Sequence, residues 1–117
     1  MSSVVQKHLE RARSIAHQST CRQKHGVVIA KGNRVVAVAV NTYRNHPCNV
    51  TDPKTESTYH AERNALWQIF PDDNLDYGKL TLYSVRINRS GQMVLAKPCK
   101  RCQELIDNVG IKTVYHS

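Results

Sequence analysis

Apolar residues recur at helical spacing over positions 3–19, where Val5, Leu9, Ala12 and Ile15/Ala16 alternate with Lys7, Glu10, Arg11 and Arg13. This spacing predicts an amphipathic first helix. The pattern then shifts to β-branched runs over 26–30 and 34–41, separated by Lys31-Gly32-Asn33, which predicts an antiparallel hairpin. Val35 to Val40 are apolar in succession rather than in alternation. A strand of that kind is expected to be covered on both faces, so the sheet should carry helices on each side.

Positions 42–58 contain Pro47, Pro53 and many Asn, Asp and Thr residues without an apolar period, and they read as a long loop. A second helix is expected over 60–70, stopping before Pro71, with a polar turn at 72–74. A third strand follows over 79–87, then a turn at 88–91 and a short strand over 92–96 that folds back. The third helix starts near Cys99 and ends on Gly110 as a C-terminal cap. A last strand over 111–115 is reached from the third strand through a crossover that contains this helix. The expected architecture is α/β, a three-layer α/β/α sandwich on a mixed β-sheet, in a single domain over 1–117. With little chain after the last strand, part of the sheet is expected to stay uncovered and to favour a homo-oligomer.

Composition narrows the partners. Seventeen Lys and Arg against nine Asp and Glu give a formal charge of +8, which favours phosphorylated or polyanionic ligands. The basic residues are dispersed rather than gathered in a tract, which favours a small-molecule nucleotide over nucleic acid. Neither a signal-like apolar run nor a membrane-length one is present, so a cytoplasmic protein with no membrane partner is expected. Of the four cysteines, Cys99 and Cys102 form a C-x-x-C pair, and Cys21 and Cys48 read as plain thiols rather than as a disulfide framework.

Cys99 and Cys102, at the opening turn of a helix, offer two thiolates to one ion, and His60 supplies a third ligand. Three protein ligands leave a fourth position on zinc for water, the arrangement of a catalytic site. Pro98 suits the start of a helix, and the positive end of the helix dipole favours thiolates there. Glu62 shares a helical stripe with Leu66 and Ile69 and is therefore expected to be buried. A capping box does not explain it, because the position three residues earlier is Tyr59 rather than Ser or Thr. A nearby metal and its water explain it better. Since residues two apart on a regular helix point to nearly opposite sides, His60 is expected at the very opening of the second helix.

His60-Ala61-Glu62 together with Pro98-Cys99-Lys100-Arg101-Cys102 resembles the signature of the cytidine and deoxycytidylate deaminase superfamily. The resemblance implies a cytidine deaminase-like fold, Zn2+ on His60, Cys99 and Cys102, and Glu62 as the catalytic proton shuttle. It further implies that Asn41 holds the sugar and that the backbone N–H of Ala61 holds the pyrimidine carbonyl. Arg63-Asn64-Ala65 and the stretch 110–115 are similar to the deoxycytidylate group. They imply hydrolysis of dCMP to dUMP and ammonia through attack by zinc-bound hydroxide. Two features depart from that group: residues 86–97 intervene before the P-C motif, and Ala39 stands where a glycine is common. Arg44, Arg86 and Arg89 are candidates for phosphate contact, and Tyr43 and Tyr59 for stacking on a base. Two other functions compete. One is a deaminase of single-stranded DNA or tRNA; the other is a non-catalytic zinc module whose fourth ligand is His46, Cys48 or Cys21.

Overall fold

The computed structural model describes residues 3–21, 23–43, 58–70 and 75–117. The elements are α1 (Ser3–Ala16), β1 (Lys24–Lys31), β2 (Arg34–Val40), β3 (Thr42–Tyr43), β4 (Thr58–Tyr59), α2 (Ala61–Ile69), β5 (Thr81–Ile87), β6 (Met93–Val94), α3 (Lys100–Val109) and β7 (Thr113–His116). β1 pairs antiparallel with both β2 and β5. The far side of β5 is shared: β7 runs parallel beside its first half, and β6 returns antiparallel beside Arg86 and Ile87. The result is a mixed sheet of five strands.

Side chains on a strand alternate between faces, and β1 supplies both layers of the core. Val28 and Ala30 meet Val5, Leu9, Ala12 and Ala16 of α1, whereas Val27 and Ile29 meet Ala65, Leu66 and Ile69 of α2 and Ile106 of α3. The helices therefore flank the sheet as an α/β/α sandwich.

Some boundaries and one assignment differ from the sequence expectation. β1 is the strand fully buried on both faces; β2 meets both core layers only in part, with Val36 and Ala39 against the α2 side, Val35 and Val38 against the α1 side, and Ala37 alone buried. The reason is position. Among the described residues β2 lies at the sheet edge, and its apolar run has a strand neighbour on one side only. The carbonyls of Val38 and Val40 accept hydrogen bonds from Gln68 Nε2 at 2.7 Å and Asn64 Nδ2 at 2.8 Å, so side chains of α2 occupy edge positions that another strand could otherwise pair with. α1 ends at Ala16 rather than near residue 19. β5 is entered through a 3-10 turn over Tyr77–Lys79, where the Asp76 carboxylate accepts from the N–H of Gly78 at 3.1 Å. The ends of the expected 42–58 loop pair as the β3–β4 ladder, an arrangement set by spatial neighbours rather than by an apolar period.

α1 approaches the sheet most closely at Gly26. A Cβ there would stand 2.3 Å from the Ala12 carbonyl oxygen and 2.6 Å from the Ala16 nitrogen, both backbone atoms that cannot swing aside. Gly26→Ala is expected to cost roughly 1–3 kcal/mol as α1 is forced off the sheet. A denaturant midpoint equal to that of the parent would show that the helix accommodates the methyl group.

Candidate active site

The two helix starts behave alike. His60 is the N-cap of α2 and Cys99 the N-cap of α3, both have extended backbone angles, and neither side chain caps its own helix. Their ligand atoms face each other instead. His60 Nδ1 lies 3.2 Å from Cys102 Sγ and 3.7 Å from Cys99 Sγ, and all three ligand atoms lie within 4.8 Å of one another. Tetrahedral zinc with ordinary Zn–N and Zn–S bonds would set such edges at about 3.6 Å, so the donor set and its spacing fit that ion. Among the described residues this is the His/Cys/Asp/Glu cluster placed to hold a metal.

The extended backbone of His60 resolves the two-residue spacing to Glu62. His60 stands just outside the helix while Glu62 lies in its first turn, so both side chains serve the same side. Glu62 is 1 % exposed. Its Oε1 has no hydrogen-bond partner among the described residues, although His25 Nδ1 stands 3.4 Å away. The carboxyl also contacts the Cys102 thiol. Burial, with a further contribution from Glu62, raises the Cys102 thiol well above its ordinary value. Burial also holds His25 below its ordinary value; Glu62 opposes that shift, while Arg86 and His60 add to it.

The described residues treat the remaining candidates unequally. Ala61 is the first residue of α2 and fully buried, and its N–H precedes the point where intrahelical acceptors become available. The side chain of Asn41 is largely committed to the chain itself. Its Oδ1 accepts from Ser19 Oγ at 2.7 Å and from the His25 N–H at 3.0 Å, and its Nδ2 donates to the Gln23 carbonyl at 2.6 Å. Asn41 thus ties the end of β2 to the segment that leads into β1. Cys21 lies apart from the metal cluster, its Sγ 3.3 Å from the Asn41 carbonyl oxygen. Arg86 sits opposite His25 in the β1–β5 ladder. Arg89 is exposed and lines a basic cleft with His17, Lys24 and Asn88. Arg44, His46 and Cys48, and the side chains of Tyr43 and Tyr59, lie outside the described residues.

Sequence reasoning missed His25. The available signal was its parity: it falls in register with Val27 and Ile29, the positions of β1 that face α2 and α3, where a polar side chain is unusual.

The profile of the cytidine and deoxycytidylate deaminase zinc-binding region matches residues 2–117. The chain belongs to that family. No curated protein sequence matches it. Among solved structures, it is similar to the apo dCMP deaminase of cyanophage S-TIM5, with a TM-score of 0.74 and 22 % identity over 99 % of this chain and 84 % of that one. The same phage enzyme in complex with dCMP and dUMP gives a TM-score of 0.72 at 22 % identity, over 99 % of this chain and 82 % of that one. The cytidine deaminase of Burkholderia pseudomallei follows at 0.66 and 16 % identity, covering 97 % and 81 %. These likenesses establish the deaminase fold. Within the family's zinc-binding region, His60, Cys99 and Cys102 form the group among the described residues that could hold a metal ion.

The raised Cys102 thiol gives zinc binding a definite pH dependence. Metal must displace a tightly held proton, so apparent zinc affinity should rise with pH, by about tenfold per unit for each proton released. Chelator competition between pH 6 and 8 measures that slope, and Cys102→Ser or His60→Ala should lose the ion across the whole range. A flat profile, or full zinc content in both variants, would place the metal elsewhere.

Proposed function

We propose that the chain is a single deaminase domain that hydrolyses a cytosine nucleotide, with dCMP giving dUMP and ammonia. One observation carries the reading: a fully buried carboxyl, Glu62, contacts the Cys102 thiol, one of three convergent zinc-type ligand atoms at the junction of two helix starts. Zinc held there supplies a Lewis acid and acidifies water toward neutrality. Glu62 takes a proton at its carboxyl, passes it to the neighbouring ring nitrogen of the base, and then assists the departing ammonia. The N–H of Ala61 donates to the pyrimidine carbonyl, while the remaining Nδ2 hydrogen of Asn41 reaches the sugar. Arg86 and Arg89 are the described candidates for the phosphate. Support for the nucleotide level comes from the phage relative that binds dCMP and dUMP and from the formal charge of +8.

Thiolate ligands call for a reducing compartment, which agrees with a cytoplasmic setting. Among the described residues no helix is long and apolar enough to cross a membrane. Trp67 and Phe70 of the α2 region are exposed and are the surface we assign to self-association. A second reading, deamination within a polynucleotide, draws its support from the basic cleft of His17, Lys24 and Arg89.

The zinc-loaded protein, incubated with dCMP, deoxycytidine, dCTP and a cytosine-containing oligonucleotide, separates these readings by the mass of the product. Turnover of dCMP is expected, and Glu62→Gln should lower it by at least about 10²-fold, as for loss of a general acid–base group. Reaction of the oligonucleotide alone would favour the polynucleotide reading. Silence on all four from folded, zinc-loaded protein would contradict both.

A further inference from the structure

The face of the sheet beneath α2 changes character toward the metal centre. Ile29 and Val27 of β1 and Leu82 of β5 form its apolar part. One step further along the same parity stand His25, Ser84 and Arg86. His25 and Ser84 are both buried, so each needs a polar partner.

Ser84 settles the orientation of the imidazole. Its Oγ lies 2.5 Å from His25 Nε2 and 3.1 Å from the Ala96 carbonyl oxygen. A neutral imidazole carries a single N–H, and a serine has a single hydrogen to give: with the Ser84 hydrogen on Nε2, the shorter of its two contacts, the imidazole N–H falls on Nδ1. The ring is thereby pinned with Nδ1 toward Glu62 Oε1, 3.4 Å away, an oxygen with no hydrogen-bond partner among the described residues. Separations of this kind commonly shorten when substrate closes a site.

We propose that His25 is a positioning residue for Glu62: Nδ1–H donates to Oε1, and the other carboxyl oxygen is thereby aimed at the reacting atoms. The inference rests on the deaminase reading above. It also gives residues 86–97 a task. The β5–β6 hairpin brings the Ala96 carbonyl to Ser84, and the carboxy-terminal segment fixes it there, with the Ala96 N–H donating to the Ser117 carbonyl at 2.9 Å and Ser117 Oγ donating to the Val94 carbonyl at 2.6 Å. A segment distant from the reacting atoms thus reaches Glu62 through Ser84 and His25.

The test compares His25→Leu with His25→Asn, since the amide of Asn keeps a polar atom near the place of Nδ1. His25→Leu should lower kcat by about 10–100-fold, with KM within about twofold and zinc content unchanged, as for other groups that orient an active residue. His25→Asn should return kcat to within about fivefold of the parent. The proposal fails if His25→Leu keeps kcat within about twofold, or if His25→Asn is as slow as His25→Leu while both are folded and zinc-loaded. A second readout needs no turnover. In protein carrying 15N-labelled histidine, Glu62→Gln should move the Nδ1 resonance of His25 and leave the hydrogen bond that Nε2 accepts from Ser84 in place. An unmoved Nδ1 would overturn the pairing. A moved Nδ1 in a protein that turns over no substrate would sustain the pairing and sink the deaminase reading alone.

Discussion

Taking a carboxylate out of water between a helix and a sheet costs several kcal/mol unless charge or hydrogen bonds meet it. Glu62 stands in that position, with the Cys102 thiol on one side and His25 on another. Much of the surrounding chain can be read as the set of conditions under which this burial is tolerable. The three candidate metal ligands gather at two helix starts, where backbone N–H groups point outward and favour negative charge. The sheet below trades its apolar side chains for His25 and Ser84 where the carboxyl comes down. Further along the same parity, Val27, Ile29 and Leu82 carry the core. Stability and chemistry are thus divided along single strands, a few residues apart.

The helices achieve this convergence by leaving two caps unmade. An N-cap side chain ordinarily accepts from its own helix and is worth about 1 kcal/mol there. His60 and Cys99 occupy both N-cap positions and make no such bond. Their ligand atoms turn toward each other, and binding of a metal would replace what the caps forgo. The same segments are restrained elsewhere. Asn64 and Gln68 tie α2 to the edge of β2, while Gly110, with φ of 105°, ends α3 so that the chain can turn into β7.

Much of this was legible in the sequence, for reasons that differ by element. The stripe of Val5, Leu9, Ala12 and Ala16 on α1 follows from spacing alone. So does the burial of Glu62 in register with Leu66 and Ile69, and the two-residue conflict with Glu62 placed His60 outside the helix. Strand position was less accessible. Val35 to Val40 predict cover on both faces and do meet both core layers, but only partly, because the run lies at the edge of the described sheet, and which strand gains neighbours on both sides depends on where β5 docks. His25 and Ser84 were illegible as a pair for a similar reason. They lie 59 residues apart, and a contact fixed by β1–β5 register leaves no local pattern. Asn41 was read from resemblance as a sugar contact, and most of its amide serves the turn into β1.

Zinc K-edge X-ray absorption on the loaded protein tests the central claim most directly, that three side chains hold the ion and leave a position open beside Glu62. The account predicts two sulfur neighbours at about 2.3 Å and one imidazole nitrogen at about 2.0–2.1 Å, with a single further light ligand from solvent. A third sulfur or a second imidazole would contradict it. Such a site would be closed, and Glu62 would lie buried beside a metal with no place for substrate.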